Sequence, residues 1–586
     1  MRKDSRLFDF IKNNESTQRQ LTLAKRDGSS WKKFKKNEIL EIIDNLSKSL
    51  LNKGLRKGDR VALMSGNRPE WNFIDFACNQ LGIAVVPLYP TLSENDLSYI
   101  VNDADVKIIF VSNTELTAKV DKAILENQLS LEIFTFDKVD NHSNYDILIQ
   151  EGSSLNIDLQ EYNNNVTGDD LLTLIYTSGT TGKPKGVYLT HKNIISNVLA
   201  CEHLLKPHIH KSLSFLPLCH IFERMVVYMY IKNNFDIYYA ENLDNIVLDI
   251  NDVKPQVFTT VPRVLEKVYD KIIEKGKNLS GFKKSLFFWA INLGLQYKEP
   301  LKNDFIYNLK LKIARKLIFS KWREALGGNI ELIISGGAAL QERLGRIFWA
   351  ADIKVLEGYG LTETSPVIAV NSWKETDVKF GTVGRVLENL DVKIAQDGEI
   401  LVKGPSITKG YYKNDDATKE AIDTEGYFHT GDIGEITSDG FLKITDRKKE
   451  MFKTAGGKYI AQQVMENKLM ESTIIAQVMV VGENQKFPSA LIVPAFEELE
   501  KLAKKRNISF TSKQDLITNK QIIDEYQQQI EKANTDFGQW EKIKKFVLLD
   551  KEWSIDTGEL TPKLSLKRKV ITQKLEDKIK DIYVEH

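Results

Sequence analysis

Between residues 36 and 110 the chain alternates two periodicities, and this alternation restricts its fold. "NEILEIIDNLSKSLLNKG" carries apolar residues at helical spacing and ends on Gly54, a residue suited to a helix C-cap. "DRVALMS" then reads as a buried strand, "WNFIDFACNQLG" as a helix, and "IAVVPLYP" and "VKIIFVS" as further strands. Strands separated by helices predict a parallel, doubly wound sheet. "LLTLIYTSGTTGKPKG" adds a strand, a Gly/Thr/Ser loop and a return. Residues 172–360 keep the α/β character, with "VLEKVYDKIIEK" and "FIYNLKLKIARKLIFSKWREAL" as their clearest helices. The polar, Asn-rich stretch 138–168 reads as an exposed connection.

The pattern changes after residue 380. "DVKIAQDGEILVKG" and "GEITSDGFLKITD" each set Asp-Gly between short alternating segments, which predicts antiparallel hairpins. From about 447 a smaller α+β segment follows, with a polar helical stretch at 496–545. A chain of 586 residues is too long for one core. The expected fold is therefore α/β: a large N-terminal domain, 1–446, of doubly wound parallel sheets plus a small antiparallel β subdomain, then a small α+β C-terminal domain, 447–586.

Charge narrows the function classes. Lys+Arg 81 against Asp+Glu 80 gives no whole-chain attraction to nucleic acid, so no nucleic-acid partner is expected. Cys78, Cys201 and Cys219 are odd in number and lack C-x-x-C spacing, which fits reduced thiols rather than a disulfide frame. The N-terminus has no apolar h-region, and no apolar run approaches the ~18 residues of a spanning helix. A cytoplasmic protein is expected. Peripheral contact with a membrane and a homodimer are both compatible with the sequence.

"YTSGTTGKPKG" (176–186) packs three glycines and four hydroxyl residues around two lysines. Small residues let backbone N–H groups converge on an anion, hydroxyls add donors and lysines add charge, so the stretch suits a polyphosphate. It is not a Walker A loop: Gly179 and Gly182 are too close together, and Pro184 follows Lys183. Read alone, an ordinary surface loop fits equally well.

Four further blocks stand with it: "SGGAAL" (335–340), "GYGLTETSP" (358–366), "YFHTGDIGEI" (427–436) and "TDRKKEMFKTAGGKYIA" (445–461). In order and spacing the five resemble the signature blocks of the adenylate-forming acyl-CoA synthetase superfamily, over nearly the whole chain. The resemblance implies a mobile C-terminal domain and a two-step reaction. ATP and a carboxylate give an acyl-adenylate and pyrophosphate; coenzyme A then displaces AMP to give a thioester.

The same resemblance assigns residues. Thr177, Ser178, Gly179, Thr180, Thr181, Gly182 and Lys183 would hold the β- and γ-phosphates. Gly336, Gly337 and Ala338 would line the adenine pocket, and in Gly358-Tyr359-Gly360 the tyrosine would offer its face to the base. Thr362 would meet the α-phosphate, and Glu363 would supply a hard oxygen to Mg²⁺. Asp432 and Arg447 would contact the ribose. By residue type alone, Tyr359 also suits a core, Glu363 a helix start and Asp432 a turn after Gly431. His220 would orient the carboxylate or gate the acyl pocket. His191 looks structural, and His208 and His210 lack ligands at metal spacing. Lys449 matches the interdomain hinge, and Lys453 would face the thioester-forming site.

"SGNRPEWNFIDFA", "LPLCHIFERMVVYMYI", "TVPRVLEKVYDKI" and the stretch 334–367 resemble the long-chain fatty acid–CoA ligase branch, which implies a long-chain fatty acid and coenzyme A as substrates. The apolar residues 221–231 suit either an alkyl tunnel or ordinary core. A fatty acyl-AMP ligase, a non-catalytic nucleotide-binding protein and a kinase-like NTPase remain as rival readings. Near the end, "ELTPKLSLKRK" departs from the branch: Ser565 stands where a catalytic lysine is expected. Lys563 is taken as its substitute, with Lys567 as the second candidate.

Overall fold

The computed structural model describes residues 6–12, 19–177, 183–241, 245–448, 451–554, 557–560 and 566–584. The chain divides into two compact units. The first comprises Met1–Lys393, Leu401–His429 and Thr437–Leu442; the second comprises Ile394–Ile400, Thr430–Ile436 and Lys443–His586.

The strands expected from the opening alternation build a seven-stranded sheet in the first unit. Its spatial order is Ser143–Asn144, Glu132–Thr135, Val106–Val111, Arg60–Met64, Ala84–Leu88, Leu171–Thr177, Lys185–Thr190. Neighbours pair parallel except the last two strands, which pair antiparallel around the Gly/Thr/Ser loop. Arg60–Met64 lies centrally with later strands on both sides, so the sheet is doubly wound. Its central strands are buried almost end to end, as continuous Val/Ile/Ala runs covered on both faces require.

A nine-stranded sheet runs Arg385–Val386, Val367–Val370, Lys354–Gly360, Leu332–Ser335, Val257–Thr260, Lys211–Ser214, Asp236–Tyr239, Thr22–Asp27, Ser30–Lys35. The six strands from Lys354–Gly360 to Thr22–Asp27 pair parallel, and both margins are antiparallel. Helix Ile221–Lys232 is buried along nearly its whole length, and its Met, Val and Tyr side chains pack into the main hydrophobic core. Within it Arg224 donates to Asp75 (2.5 Å), Thr173 (2.7 Å) and the Tyr228 hydroxyl (2.6 Å), an ionic knot closed off from water.

A four-stranded sheet follows chain order, Asp391–Ile394, Glu399–Lys403, Phe428–Ile436 and Leu442–Arg447. Each Asp-Gly pair sits in a short hairpin: the Glu399 carbonyl accepts from Ala395 N–H (2.8 Å), and the Phe441 carbonyl from Thr437 N–H (2.8 Å). Connections this short join antiparallel strands. The second unit has a separate core over the sheet Ile475–Val481, Ser489–Pro494, Lys545–Leu548, covered by helices that include Gln462–Leu469 and Lys520–Ala533.

Two expectations need correction. Residues 138–168 are mostly exposed, as expected, but they are not irregular: they include the helices Asp146–Ser154 and Leu159–Asn164. Gly152 packs so tightly on Asn45 that a Cβ there would lie 1.9 Å from its carbonyl oxygen, and Leu148 is buried. The polar stretch 496–545 holds three helices only as far as Ala533, Phe496–Lys505, Lys513–Thr518 and Lys520–Ala533, broken where Ser512 and Asn519 act as N-caps, and then runs through a 3-10 turn, Asn534–Asp536, toward strand Lys545–Leu548. No helix among the described residues is long and apolar enough to cross a membrane.

Candidate active site

The candidate residues of the first unit gather at the carboxyl ends of adjacent parallel strands. Thr260 aligns with Ser335 and Ser335 with Glu357, so the segments that leave Leu332–Ser335 and Lys354–Gly360 emerge side by side. Gly336 and Gly337 leave the first, and Gly358, Tyr359 and Gly360 end the second. A Cβ on Gly336 would come within 3.2 Å of the Phe222 ring and 3.6 Å of the Gly358 carbonyl oxygen, so a side chain there would press on that ring. Gly337 has φ +81° and turns the chain away. In open α/β sheets this rim is where ligands bind.

His220 reaches the same rim from the turn after Lys211–Ser214. It caps helix Ile221–Lys232: its Nδ1 accepts from Phe222 N–H at 3.1 Å. An accepting Nδ1 places the proton of the neutral ring on Nε2.

Thr362 and Glu363 open the 3-10 turn Thr362–Thr364, one residue past Gly360, and Thr362 is buried. The Glu363 carbonyl accepts from Thr408 N–H (2.8 Å), and its Oε1 accepts from the Tyr411 hydroxyl (3.0 Å). Tyr411 lies on a segment running antiparallel along Lys185–Thr190, fixed by Tyr188 N–H to Gly410 O (3.0 Å) and Tyr412 N–H to Gly186 O (2.8 Å). The Lys185 ammonium stands 5.2 Å from the Tyr411 ring centre. The return strand of the Gly/Thr/Ser loop and the Glu363 turn are thus joined through one tyrosine.

Thr177 ends its strand opposite Lys185, and the Lys183 ammonium lies 5.1 Å from the Tyr99 ring. Ser178, Gly179, Thr180, Thr181, Gly182, Lys449 and Lys563 lie outside the described residues.

In the second unit Asp432 is buried, and Arg447 Nε donates to its Oδ1 at 3.2 Å, so the two residues assigned to a ribose stand together. Lys448 bridges Glu399 (2.8 Å) and Asp397 (2.6 Å). Lys453 lies on the hairpin Phe452–Lys453/Tyr459–Ile460, with its ammonium 4.6 Å from the Tyr459 ring. Lys567 is exposed at the start of helix Arg568–Lys574, whereas Arg568 is committed to Glu466 through contacts of 2.6 and 2.7 Å.

Comparison with known proteins fits this arrangement. Residues 18–412 match the family model described as AMP-binding enzyme, and residues 451–586 match the AMP-binding enzyme C-terminal domain. The chain belongs to the AMP-binding enzyme family. Among its relatives, the long-chain-fatty-acid–CoA ligase FadD15 of Mycobacterium bovis is 34% identical over 91% of this chain and 89% of that protein. The human long-chain-fatty-acid–CoA ligase 1 is 32% identical over 94% of this chain and 82% of that protein. The fold matches that of the anthranilate CoA ligase AuaEII in complex with anthranoyl-AMP, at TM-score 0.74 and 16% identity, covering 99% of both chains.

Two residues of this AMP-binding enzyme escaped the sequence reading. Tyr411 sits in "GYYKN", a string that reads as an ordinary turn, and its partner Glu363 is 48 positions away. Burial, reinforced by the Glu363 charge, raises its hydroxyl pKa. Glu357, in the buried strand before Tyr359, accepts from Leu340 N–H at 2.9 Å and pins the Gly336–Leu340 loop to the rim. Burial pushes its carboxyl up to about 8. His191 is structural, as expected. It is buried, its Nδ1 accepts from Leu7 N–H (3.1 Å), and desolvation pushes its pKa down to about 4.

Proposed function

We propose that the chain is an ATP-dependent, AMP-forming long-chain fatty acid–CoA ligase that passes through an acyl-adenylate. The relatives at 30–34% identity over most of the chain support the substrate class. The observation that carries the chemistry is the junction at Tyr411, which ties the return of a phosphate-suited loop to the Glu363 turn at the strand-end rim.

Carboxylate attack on the α-phosphorus needs alignment and charge neutralisation rather than a protein nucleophile. In this reading Thr177, Lys183 and the loop between them hold the outer phosphates. Gly336, Gly337, Ala338, Gly358, Tyr359 and Gly360 form a flat slot for adenine. Asp432 accepts from the ribose hydroxyls with Arg447 beside it. The His220 Nε2–H donates to the fatty carboxylate and turns it toward phosphorus.

Glu363 fits a Mg²⁺ ligand. Its carboxylate is half-buried and forms no ion pair among the described residues, and Oε1 is steadied by a neutral phenol, so negative charge is left for a hard cation. Bound there, Mg²⁺ would neutralise phosphate charge. Thr362, on the same turn, is placed to donate to the α-phosphate.

We assign domains 1–446 and 447–586, with Lys449 as the hinge between half-reactions, Lys453 serving thioester formation and Lys563 adenylation. The charged run Arg447-Lys448-Lys449 and the two separate family matches support this division. The decisive experiment measures AMP and pyrophosphate release across acids from acetate to stearate, with and without coenzyme A. Long-chain acids should be preferred, and thioester should form only with coenzyme A. Preference for short or aromatic acids, or a product stopping at the adenylate, would overturn the assignment.

A further inference from the structure

The first unit carries an apolar row that no part of the described protein covers. Helix Phe305–Ala314 runs through a π-helical turn, Arg315–Phe319, into Ser320–Ala325. Its inner side is well anchored. Leu311, Ala314, Phe319 and Trp322 are buried, the Tyr307 hydroxyl donates to Leu293 O (2.6 Å), and Arg315 Nε donates to Ala350 O (2.8 Å). Its outer side should then be polar, but it is not.

Phe305, Leu309, Ile313 and Leu317 recur every four residues and are 82%, 54%, 47% and 48% exposed, with Ile306 beside them at 66%. Residues four apart stack along one face of a helix. Single exposed apolar residues are ordinary, but a contiguous row on a rigid helix marks an interaction surface.

Charge identifies the partner. Residues 277–323 hold 11 Lys and Arg against 2 Asp and Glu, a net of +9 in a chain whose total is +1. Lys312 and Lys316 each precede a member of the row, and Lys310 follows one. None of these three has an ion-pair partner among the described residues. An apolar row between lysines on a folded helix suits the boundary of an anionic bilayer, where the row enters the acyl region and the lysines snorkel to phosphate. A second copy would set like charge against like. RNA would leave the five apolar side chains without an apolar partner.

We propose that the Phe305–Ala325 helix docks the protein on an anionic lipid surface. The proposal rests on the ligase reading for its purpose, capture of a water-insoluble acid where that acid is dissolved, but not for the binding itself.

The test is co-sedimentation of the full chain with phosphatidylcholine vesicles, with and without phosphatidylserine. Binding should be at least ~10-fold stronger with phosphatidylserine and should weaken with salt. Lys310→Glu, Lys312→Glu and Lys316→Glu together should bring binding to the neutral-vesicle level. Leu309→Ser with Ile313→Ser should reduce it by about tenfold. Lys→Arg at the same three positions should bind as wild type, which separates charge from misfolding. All variants should release AMP from a soluble acid at the wild-type rate. That arm stands apart: its failure in the wild type would sink the ligase reading and leave the vesicle result intact. No wild-type preference for phosphatidylserine, equal binding by the Glu and Ser variants, or RNA binding or dimerisation in place of vesicle binding would each overturn the docking proposal.

Discussion

Replacing Tyr411 with Phe removes one hydrogen-bond donor and little else. The ring stays, and with it the Lys185 contact at 5.2 Å. What goes is the 3.0 Å bond that fixes Glu363 Oε1. A hydrogen bond to a charged acceptor is worth roughly 1.5–3 kcal/mol, and because Glu363 is half-buried the lower end applies. About 1.4 kcal/mol is a factor of ten in an equilibrium constant. If Glu363 holds Mg²⁺, the half-saturating Mg²⁺ concentration for pyrophosphate release should rise ~10-fold in Tyr411→Phe, by that conversion. The KM for the fatty acid should not change, since no acyl contact is touched. In a Glu363→Gln background the same substitution should add nothing, because the charge it steadies is gone. The assay is a Mg²⁺ titration of pyrophosphate release at saturating ATP. An unchanged Mg²⁺ midpoint, or full additivity with Glu363→Gln, would refute the positioning role.

Other expectations follow from the same structure. Glu357 has its carboxyl raised to about 8 from 4.5, so the stability it contributes is fully present below pH 4.5 and is lost as pH rises through about 8. Glu357→Gln keeps an acceptor for Leu340 N–H and should flatten that fall, gaining on the order of a few kcal/mol over wild type at pH 8; equal melting curves at pH 5 and pH 8 for both proteins would count against it. Asp75→Asn leaves the buried Arg224 guanidinium uncompensated and should cost ~3–5 kcal/mol by urea denaturation, more than Tyr228→Phe. Gly360→Ala would put a Cβ 1.7 Å from the Pro366 carbonyl oxygen, so the Thr362–Glu363 turn must shift and AMP formation should fall by at least ~10-fold. Alanine at Lys563 and at Lys567, compared by adenylation rate separately from thioester formation, should slow adenylation only at Lys563; wild-type rates in both would remove this segment from catalysis.

The parts legible in the sequence are those whose cause is local. Val61–Met64, Val85–Leu88 and Ile108–Val111 announce themselves because a strand covered on both faces must be continuously apolar. The Asp-Gly hairpins at 397–398 and 439–440 follow from turn chemistry within a few residues. The loop 177–183 is visible because polyphosphate binding needs its composition wherever the chain then leads. The illegible parts depend on distant partners. Asn-rich 138–168 looks like a loop until Asn45 presents a backbone for Gly152 to press against. Tyr411 is an unremarkable turn residue until Glu363 meets it. Burial of 221–231 was readable, but its ionic knot with Asp75 and Thr173 was not, since those partners lie on separate elements.

The strand Thr22–Asp27 pairs parallel to Asp236–Tyr239, a partner that leaves the ribosome more than two hundred residues later. During synthesis Thr22–Asp27 can pair at once with Ser30–Lys35, and the seven-stranded sheet is complete by Thr190, while that hairpin must wait for its parallel partner. The parallel register that docks this hairpin in the large sheet therefore forms only after the whole seven-stranded sheet has been translated. Vectorial folding of this protein should show a long-lived nascent intermediate with an undocked N-terminal hairpin, open to chaperones until Asp236–Tyr239 is translated.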